Sequence, residues 1–566
     1  MSTTSALGGV VRRREDPALI QGKARYVDDI KLRGETSAAF VRSPFAHAKV
    51  LSIDTSEAEA MDGVIAIFTA SDVEHMGPLA AQVAIVPRPL LNGDVVRHVG
   101  EAVAMVVASD RYVAQDAVDA IFVEYEPLEA IVDLKDAATD RILVHDSTES
   151  NTLISWVGPF GAEPEAQAEV KAGIDAAKER DDTVVVSQEM VNQRLIPTAI
   201  EPRRVLAEWE AGYQTLRMHT TSQMPHAVAG ALGMALGLPS TSVRVIAPEV
   251  GGGFGAKLNV YSDEILVGWA ARQLERPVRW TETRREAATS TIQGRGWIGT
   301  ATIVGPRDGE ILGYEFDGLA DMGAYTQNFT AAIPFLGLFV ASGQYKMPTY
   351  WKIDCVATNT MTTDAYRGAG RPEAIYYIER IMDMYAREIG MDPADVRRKN
   401  FIPAEEFPVA MSPVGFAMDT GDYAMNLDAL LETGVYDEMK AARDAARAEG
   451  RNVGIGLSTY VEVCGFAPAG LADLGFSWSA YGLPSAFNGN GLVRVNADAT
   501  VTVTIGTGPS GQGHQTTWAQ IVADRLGIPV DDIVVKHGDT GDSPMGIGTF
   551  GSRSAAVDGS AAYEAA

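Results

Sequence analysis

Val243-Arg244-Val245-Ile246-Ala247 runs into Val250-Gly251-Gly252-Gly253-Phe254-Gly255-Ala256-Lys257. The first run is rich in β-branched residues and predicts a strand. The second has four glycines in five positions, 251 to 255, so its N–H groups can approach a ligand closely. A helix is expected to follow at once, its N-terminal dipole suiting an anionic or oxo group. Gly251-x-Gly253-x-x-Ala256 also fits the glycine pattern of a dinucleotide-binding turn, which keeps a nicotinamide-dependent dehydrogenase open. Against it stand the extra glycine, Phe254 where bulk crowds a pyrophosphate, and Glu282 too far on to serve as the acidic partner. A phosphate-binding Walker A loop fails, because Ala256 precedes Lys257 and Leu258 follows it.

The surrounding chain is large and acidic. Its 566 residues are expected to divide into three or four domains, and 46% hydrophobic content suffices for sizeable cores. A net charge of −27 argues against nucleic acid and against anionic membrane. Arg12-Arg13-Arg14 is followed by Glu15-Asp16-Pro17 where an export signal needs an apolar run. The best apolar stretch, Ala331 to Gly343, is short and contains Pro334, so no membrane insertion is expected and the cytoplasm is the expected location. Cys355 and Cys464 cannot make a cysteine-ligated cluster, and the eight histidines form no paired motif. No metal site ligated by protein is expected; if a metal acts here, something other than the polypeptide holds it.

Residues 1–140 read as a compact α+β unit, with β-like runs near 39–43, 64–68 and 102–107 and a helix near 113–121. Residues 141–182 read as a polar connector, 183–430 as a first large α/β unit and 431–566 as a second. Apolar residues at helical spacing mark Ile375 to Ile389, and Asp392-Pro393 reads as an N-cap and first helical residue. Leu216 to Lys257 has a counterpart in Val501 to Ser554. Each runs strand, polar turn (Thr221 to His226; Gly508 to His514), helix with a matching tag (Leu236-Gly237-Leu238-Pro239; Leu526-Gly527-Ile528-Pro529), strand and glycine-rich loop. Such an internal duplication would offer two glycine-rich walls to one ligand.

Two further stretches carry chemistry. Ala365-Tyr366-Arg367-Gly368-Ala369-Gly370-Arg371-Pro372-Glu373 places two arginines among small residues before a helix, suiting an anion or an oriented substrate. Gln512-Gly513-His514-Gln515-Thr516-Thr517, with Ser552-Arg553-Ser554, combines amides, hydroxyls and bare backbone, suiting phosphate and ring nitrogens.

The combination resembles the large, molybdenum-binding subunit of the xanthine dehydrogenase/aldehyde oxidase family, in its bacterial carbon monoxide dehydrogenase-like branch. The resemblance spans almost the whole chain: Arg12-x-Arg14-Glu15-Asp16, Gly22-x-Ala24-x-Tyr26-x-Asp28-Asp29, Arg42-Ser43-Pro44-x-Ala46-His47-Ala48, Glu201-Pro202-Arg203, Thr221-Ser222-Gln223-x-Pro225-His226, the glycine loop, Ala365 to Arg371, Asp392 to Asn400, and Gln512 to Thr517. It implies an α+β (mixed α/β) fold, with a small hammerhead-like N-terminal domain before duplicated molybdopterin-binding domains. It implies molybdenum held by the dithiolene of a molybdopterin, as the cytosine dinucleotide, with no side chain on the metal. Phe254 and Gly255 then stand beside the metal and Gln223 hydrogen-bonds near it. Gly252, Gly253, Gln512, Gly513, His514, Ser552 and Ser554 cradle the cofactor, and Arg367 belongs to the active-site loop. The implied chemistry is oxidative hydroxylation with water-derived oxygen. An iron–sulfur small subunit and an FAD-bearing medium subunit are the implied partners, in a dimer of heterotrimers.

Two departures sharpen this. Gly368-Ala369-Gly370 lacks the copper-binding cysteine of carbon monoxide oxidisers, and Leu258 replaces an acid of purine oxidisers. An aldehyde or aromatic N-heterocycle is therefore the expected substrate. The family's general-base glutamate sits in a C-terminal Gly-x-Gly-Glu motif that is not found before Ala566. The C-terminal part is expected to be truncated or carried by a second polypeptide, and this chain alone is expected not to turn over; a degenerate paralogue that only binds partners is the remaining alternative.

Overall fold

The computed structural model describes residues 6–79, 85–159, 164–411, 416–465 and 488–566. Two large sheets organise them. The first has seven strands in the order Val243–Ile246, Thr215–Thr220, Arg204–Glu210, Val278–Thr281, Thr36–Arg42, Ala102–Ala108, Val64–Thr69. Ala102–Ala108 is buried on both faces along its whole length, as its unbroken apolar run allows. The N-terminal stretch closes one three-stranded sheet of its own (Val95–Val96, Ala48–Asp54, Phe122–Pro127), but its remaining strands join the large one. Thr36 pairs in parallel with Val278, so strands of the first 140 residues extend a sheet whose other half comes from residues 204–281. Alternating apolar residues mark a strand but do not name its neighbour.

The second sheet runs Thr152–Gly158, Thr349–Ala357, Gly313–Gly323, Trp297–Pro306, Thr183–Asn192. The helix Arg371–Ile389 packs on its last two strands. Between them Phe316 stacks on Trp351 with ring centroids 4.0 Å apart, and Tyr377 leans on Phe316. The stretch 141–182 is no connector: Thr152–Gly158 is the edge strand of this sheet, and the helix Pro164–Lys178 lies against it with Ile174 and Ala177 buried. Its composition misleads because one narrow stripe (Val170, Ile174, Ala177) is enough to cover a sheet. A Cβ on Gly313 would stand 2.7 Å from Ile174, so the bare strand lets the helix sit close.

The duplication is visible as topology. Arg204–Glu210 and Thr215–Thr220 form an antiparallel pair; the helix Pro225–Leu236 and a short turn Ser240–Ser242 follow, and Val243–Ile246 returns parallel to Thr215–Thr220. Gly491–Val495, Val501–Ile505, His514–Leu526, Val530–Asp532 and Ile533–Lys536 repeat that order and those pairings. Both helices end on a left-handed glycine, Gly237 at φ 61° and Gly527 at φ 69°. The two units meet edge to edge: Ala247 N–H donates to Gly538 O at 2.7 Å, Thr540 N–H donates to Val245 O at 3.0 Å, and Arg244 forks onto Asp539 at 2.9 and 2.6 Å.

Candidate active site

The glycine loop departs from expectation at its far end. The helix does not follow at once: it begins at Ser262 and runs to Leu274, after a series of turns. Tyr261 OH donates to Ala256 O at 2.6 Å and holds those turns. The loop therefore presents its own amides and carbonyls, without a helix dipole behind them, and the nicotinamide-binding turn loses the helix it requires. Within the loop Gly252 (φ 94°), Phe254 (φ 57°) and Gly255 (φ 94°) are all left-handed. For Phe254 this is strained backbone, held in place by its neighbours. Arg367 N–H donates to Phe254 O at 2.9 Å, and the Arg367 guanidinium stands 5.8 Å from the Phe254 ring centroid.

Gln223, in the turn before its helix, ties three segments together. Its Oε1 accepts from Gly255 N–H at 2.9 Å, and its Nε2 donates to Thr549 O at 2.7 Å. Its backbone N–H donates to Lys257 O at 2.8 Å, and its carbonyl accepts from Thr549 N–H at 3.1 Å. A Cβ on Gly253 would come 2.6 Å from the Gln223 amide, so the bare residue is what lets the glutamine reach across.

The arginine loop is pinned from three sides. Asp364 is fully buried and accepts from Phe329 N–H at 2.9 Å and Thr330 Oγ1–H at 3.0 Å; burial pushes its carboxyl up to about 6. Arg295 donates to Tyr366 O at 3.0 Å and Arg367 O at 2.7 Å. Arg371 is buried and spends its donors on Gly368 O at 2.6 Å, Val463 O at 2.5 Å and Glu462 at 3.0 Å. Arg367 is the exposed one of the pair.

The opposite wall comes from the second unit. Gly513 (φ 80°) precedes the helix that starts at His514, and Glu15 caps that helix from far along the chain, accepting from Thr516 N–H at 3.1 Å and Thr516 Oγ1–H at 2.6 Å. His514 packs on Trp518, 5.1 Å between centroids, and burial depresses its pKa to about 4. Ser552 is left-handed at φ 53°, and Ser554 opens a single π-turn, Ser554–Asp558, whose Arg553 and Asp558 pair at 3.0 Å with no exposure.

These walls enclose a cavity of about 740 Å³. Of the residues singled out from sequence, Gln223, Gly253, Phe254, Gly255, Arg367, Gln512, His514, Ser552 and Ser554 line it, whereas Gly252 and Gly513 do not. Three residues with left-handed backbone despite a side chain, Phe254, Ala369 and Ser552, all face it. Leu258, noted in the sequence for the acid it lacks, lines it too, but the rest of the apolar side went unread: Phe329, Ile333, Leu336 and Phe550. Ile333 and Leu336 lie on the helix Ala332–Leu338, inside the short apolar run noted above, which is the one signal that could have found them. Among the described residues two arginines and no carboxylate line the cavity. Such a chamber can hold an anionic, partly aromatic ligand with its charged end on the loops and its flat end against the apolar side. Among the described residues no helix is long and apolar enough to cross a membrane.

The chain matches the molybdopterin cofactor-binding domain twice, over residues 160–401 and 429–566, and the a/b hammerhead domain of aldehyde oxidase and xanthine dehydrogenase over residues 21–129. The large chain of carbon monoxide dehydrogenase from Afipia carboxidovorans is 36% identical over 98% of this chain and 69% of its own length. The large subunit of nicotine 6-hydroxylase from Paenarthrobacter nicotinovorans is 33% identical over 100% and 68%. The crystal structure of quinoline 2-oxidoreductase from Pseudomonas putida 86 superimposes with a TM-score of 0.90 at 33% identity, over 99% of this chain and 70% of that one.

Proposed function

The chain belongs to the aldehyde oxidase/xanthine dehydrogenase family of molybdenum-dependent oxidoreductases, as a large molybdopterin-binding subunit, and from that premise we propose that it oxidatively hydroxylates an aromatic N-heterocycle or an aldehyde. The observation that carries this reading is the 740 Å³ cavity in which Phe254, Gln223 and Arg367 converge. The residues present suit a molybdenum–pterin group. Gly255 is bare where a Cβ would collide with Ala365 O at 2.0 Å, which keeps the Phe254 wall flush against the Arg367 loop. Gln512, Ser552 and Ser554 supply donors and acceptors for pterin and phosphate, and the cytosine dinucleotide form is part of the proposal. When bound, the group supplies the two-electron redox chemistry of hydroxylation by water.

The chain's own part is positioning. Gln223 has both ends of its amide engaged and so fixes the distance between the walls, leaving one Nε2 hydrogen for a ligand. Arg367 brings permanent positive charge to the polar rim, where a carbonyl or ring nitrogen gaining electron density is stabilised. Leu258, Ile333 and Leu336 exclude water and suit a flat ring. His514, neutral well below pH 7, brings no charge. Carbon monoxide is disfavoured. Gly368-Ala369-Gly370 holds no cysteine, and a Cβ would meet Pro372 at 2.1 Å from Gly368 and Ile333 O at 2.2 Å from Gly370, so the loop is packed around its two bare residues. Iron–sulfur and FAD-bearing partner subunits in a dimer of heterotrimers, and a cytoplasmic location, complete the proposal; the relatives described as large chains or large subunits support the partners.

The test is co-expression with iron–sulfur and flavin subunits, followed by metal analysis, released-pterin fluorescence and assay with quinoline-type heterocycles and aromatic aldehydes in ¹⁸O-water. The expected result is molybdenum with pterin and labelled oxygen in the product. Protein with neither metal nor pterin, or product without the label, contradicts the reading.

A further inference from the structure

The glycine loop raises a physical problem that its hydrogen bonds to Gln223 do not solve. A run as bare as Gly251 to Gly255 loses more backbone entropy on ordering than any other composition, yet it must hold Phe254 in strained, left-handed backbone at φ 57°. The cavity side offers Arg367 N–H on the Phe254 carbonyl and Gln223 on Gly255. Something must brace the loop from behind.

Behind it lie Glu201 and Lys257, both almost fully buried. Glu201 Oε2 accepts from Gly251 N–H at 2.7 Å, and the same oxygen stands 3.5 Å from Lys257 Nζ. The backbone of Glu201 also binds the loop entrance, its N–H donating to Gly251 O at 3.1 Å. Gly251 is the first residue of the loop and Lys257 the last, so one carboxylate oxygen joins both ends and closes the loop into a ring. A Cβ on Gly251 would come 2.5 Å from Glu201 Cβ, so the entrance is glycine because the brace presses against it. Two other charges bear on Lys257, Glu282 in its favour and Arg204 against it. Burial draws its pKa down to about 8, which still leaves it charged at neutral pH. Arg204 Nη1 stands 3.9 Å from the other Glu201 oxygen, so Lys257 is the nearer of two cations on this carboxylate; removing it weakens the charge balance of a buried group, and each partner helps hold the other in place.

We propose that Glu201 and Lys257 are a positioning pair that closes the Gly251–Lys257 loop from behind and thereby sets the place of Phe254 over the cavity. Neither side chain lines the cavity, so the pair acts through the loop and not on a substrate. The proposal rests on the reading of this cavity as the cofactor's only for its consequence; the brace itself is a property of the chain.

Hydrogen exchange read by mass spectrometry tests it without cofactor, so its failure is separable from failure of the functional reading. The purified chain is compared as wild type, Lys257→Met, Lys257→Arg, Glu201→Gln and the Glu201→Gln/Lys257→Met double variant. Peptides covering 250–258 are followed, with the buried strand Trp297–Pro306 as internal control. Lys257→Met and Glu201→Gln are each expected to speed exchange of the loop by about tenfold while the control strand is unchanged, the double variant is expected to exceed neither by much, and Lys257→Arg is expected to keep the loop within about threefold of wild type. Loop exchange in Lys257→Met equal to wild type overturns the proposal. So does a double variant whose effect is the product of the two singles. Should Lys257→Met fail to fold, Glu201→Gln against Lys257→Arg decides alone, because charge is removed in one and kept in the other; equal exchange in those two overturns it.

Discussion

Gln223 and Thr549 exchange two hydrogen bonds: the Gln223 side chain donates to the Thr549 carbonyl at 2.7 Å, and the Thr549 N–H donates to the Gln223 carbonyl at 3.1 Å. The contact spans the two duplicated units, and the other end of the same amide accepts from Gly255. One side chain thus sets the width of the cavity.

Gln223→Ala leaves the Gly255 amide and the Thr549 carbonyl without partners in a buried setting. The expected loss is about 2–6 kcal/mol, taking roughly 1–3 kcal/mol for each of the two unsatisfied groups. Urea unfolding followed by intrinsic fluorescence measures it. Gln223→Glu, which keeps the acceptor and loses the donor, is expected to fall between the two; a loss as large as that of alanine contradicts the assignment of both bonds.

Gly255→Ala combines a backbone at φ 94° with a Cβ 2.0 Å from Ala365 O. Backbone strain plus collision with a main-chain atom is expected to destabilise by about 3 kcal/mol or more and to abolish cofactor retention. Melting temperature and the molybdenum-to-protein ratio read the two effects. An alanine variant with wild-type metal content would show that the Phe254 wall does not need its contact with the Arg367 loop.

Arg367 carries the charge at the rim of the cavity, and its backbone holds Phe254 whatever its side chain. Arg367→Ala is therefore expected to lower kcat/KM for the substrate by roughly 10²-fold with little change in melting temperature. Steady-state kinetics on the assembled enzyme checks it. Arg367→Lys is expected to recover only part, since an ammonium lacks the planar fork of a guanidinium.

His514 gives a pH signature with a definite sign. Its folded pKa, about 4, lies below the ordinary 6.5 because burial disfavours the imidazolium. The unfolded chain therefore binds the proton first as pH falls. The stability contribution is full above pH 6.5 and is lost on the way down to pH 4, by up to about 3 kcal/mol. His514→Gln is expected to flatten the fall of the urea midpoint between pH 6.5 and 4. An unchanged slope would place the titration elsewhere, His537 being the nearest group of the same kind.

Much of this was legible in the chain alone. The matched tags Leu236 to Pro239 and Leu526 to Pro529 announced two copies of one unit, because helix ends and the glycine and proline that stop them are local chemistry. Gln223, Phe254, Arg367 and the Gln512 segment could be picked out for the same reason: each sits in a short stretch whose composition is unusual by itself, and their order along the chain resembled a family. Local composition, however, says nothing about which segments meet. The strand and helix between 152 and 178 read as a connector because a helix needs only one apolar stripe, and the expected helix after Ala256 was displaced to Ser262 by turns that Tyr261 holds. The apolar side of the cavity, the capping of His514–Leu526 by Glu15, and the bond from Gln223 to Thr549 across 326 residues depend on docking of distant elements. So does the pairing of Glu201 with Lys257. The sequence by itself determined that one unit occurs twice and which side chains the loops carry; the tertiary structure alone decided where the units divide and what stands behind and across from the loops, because burial and hydrogen bonding between remote segments exist only once the chain has folded.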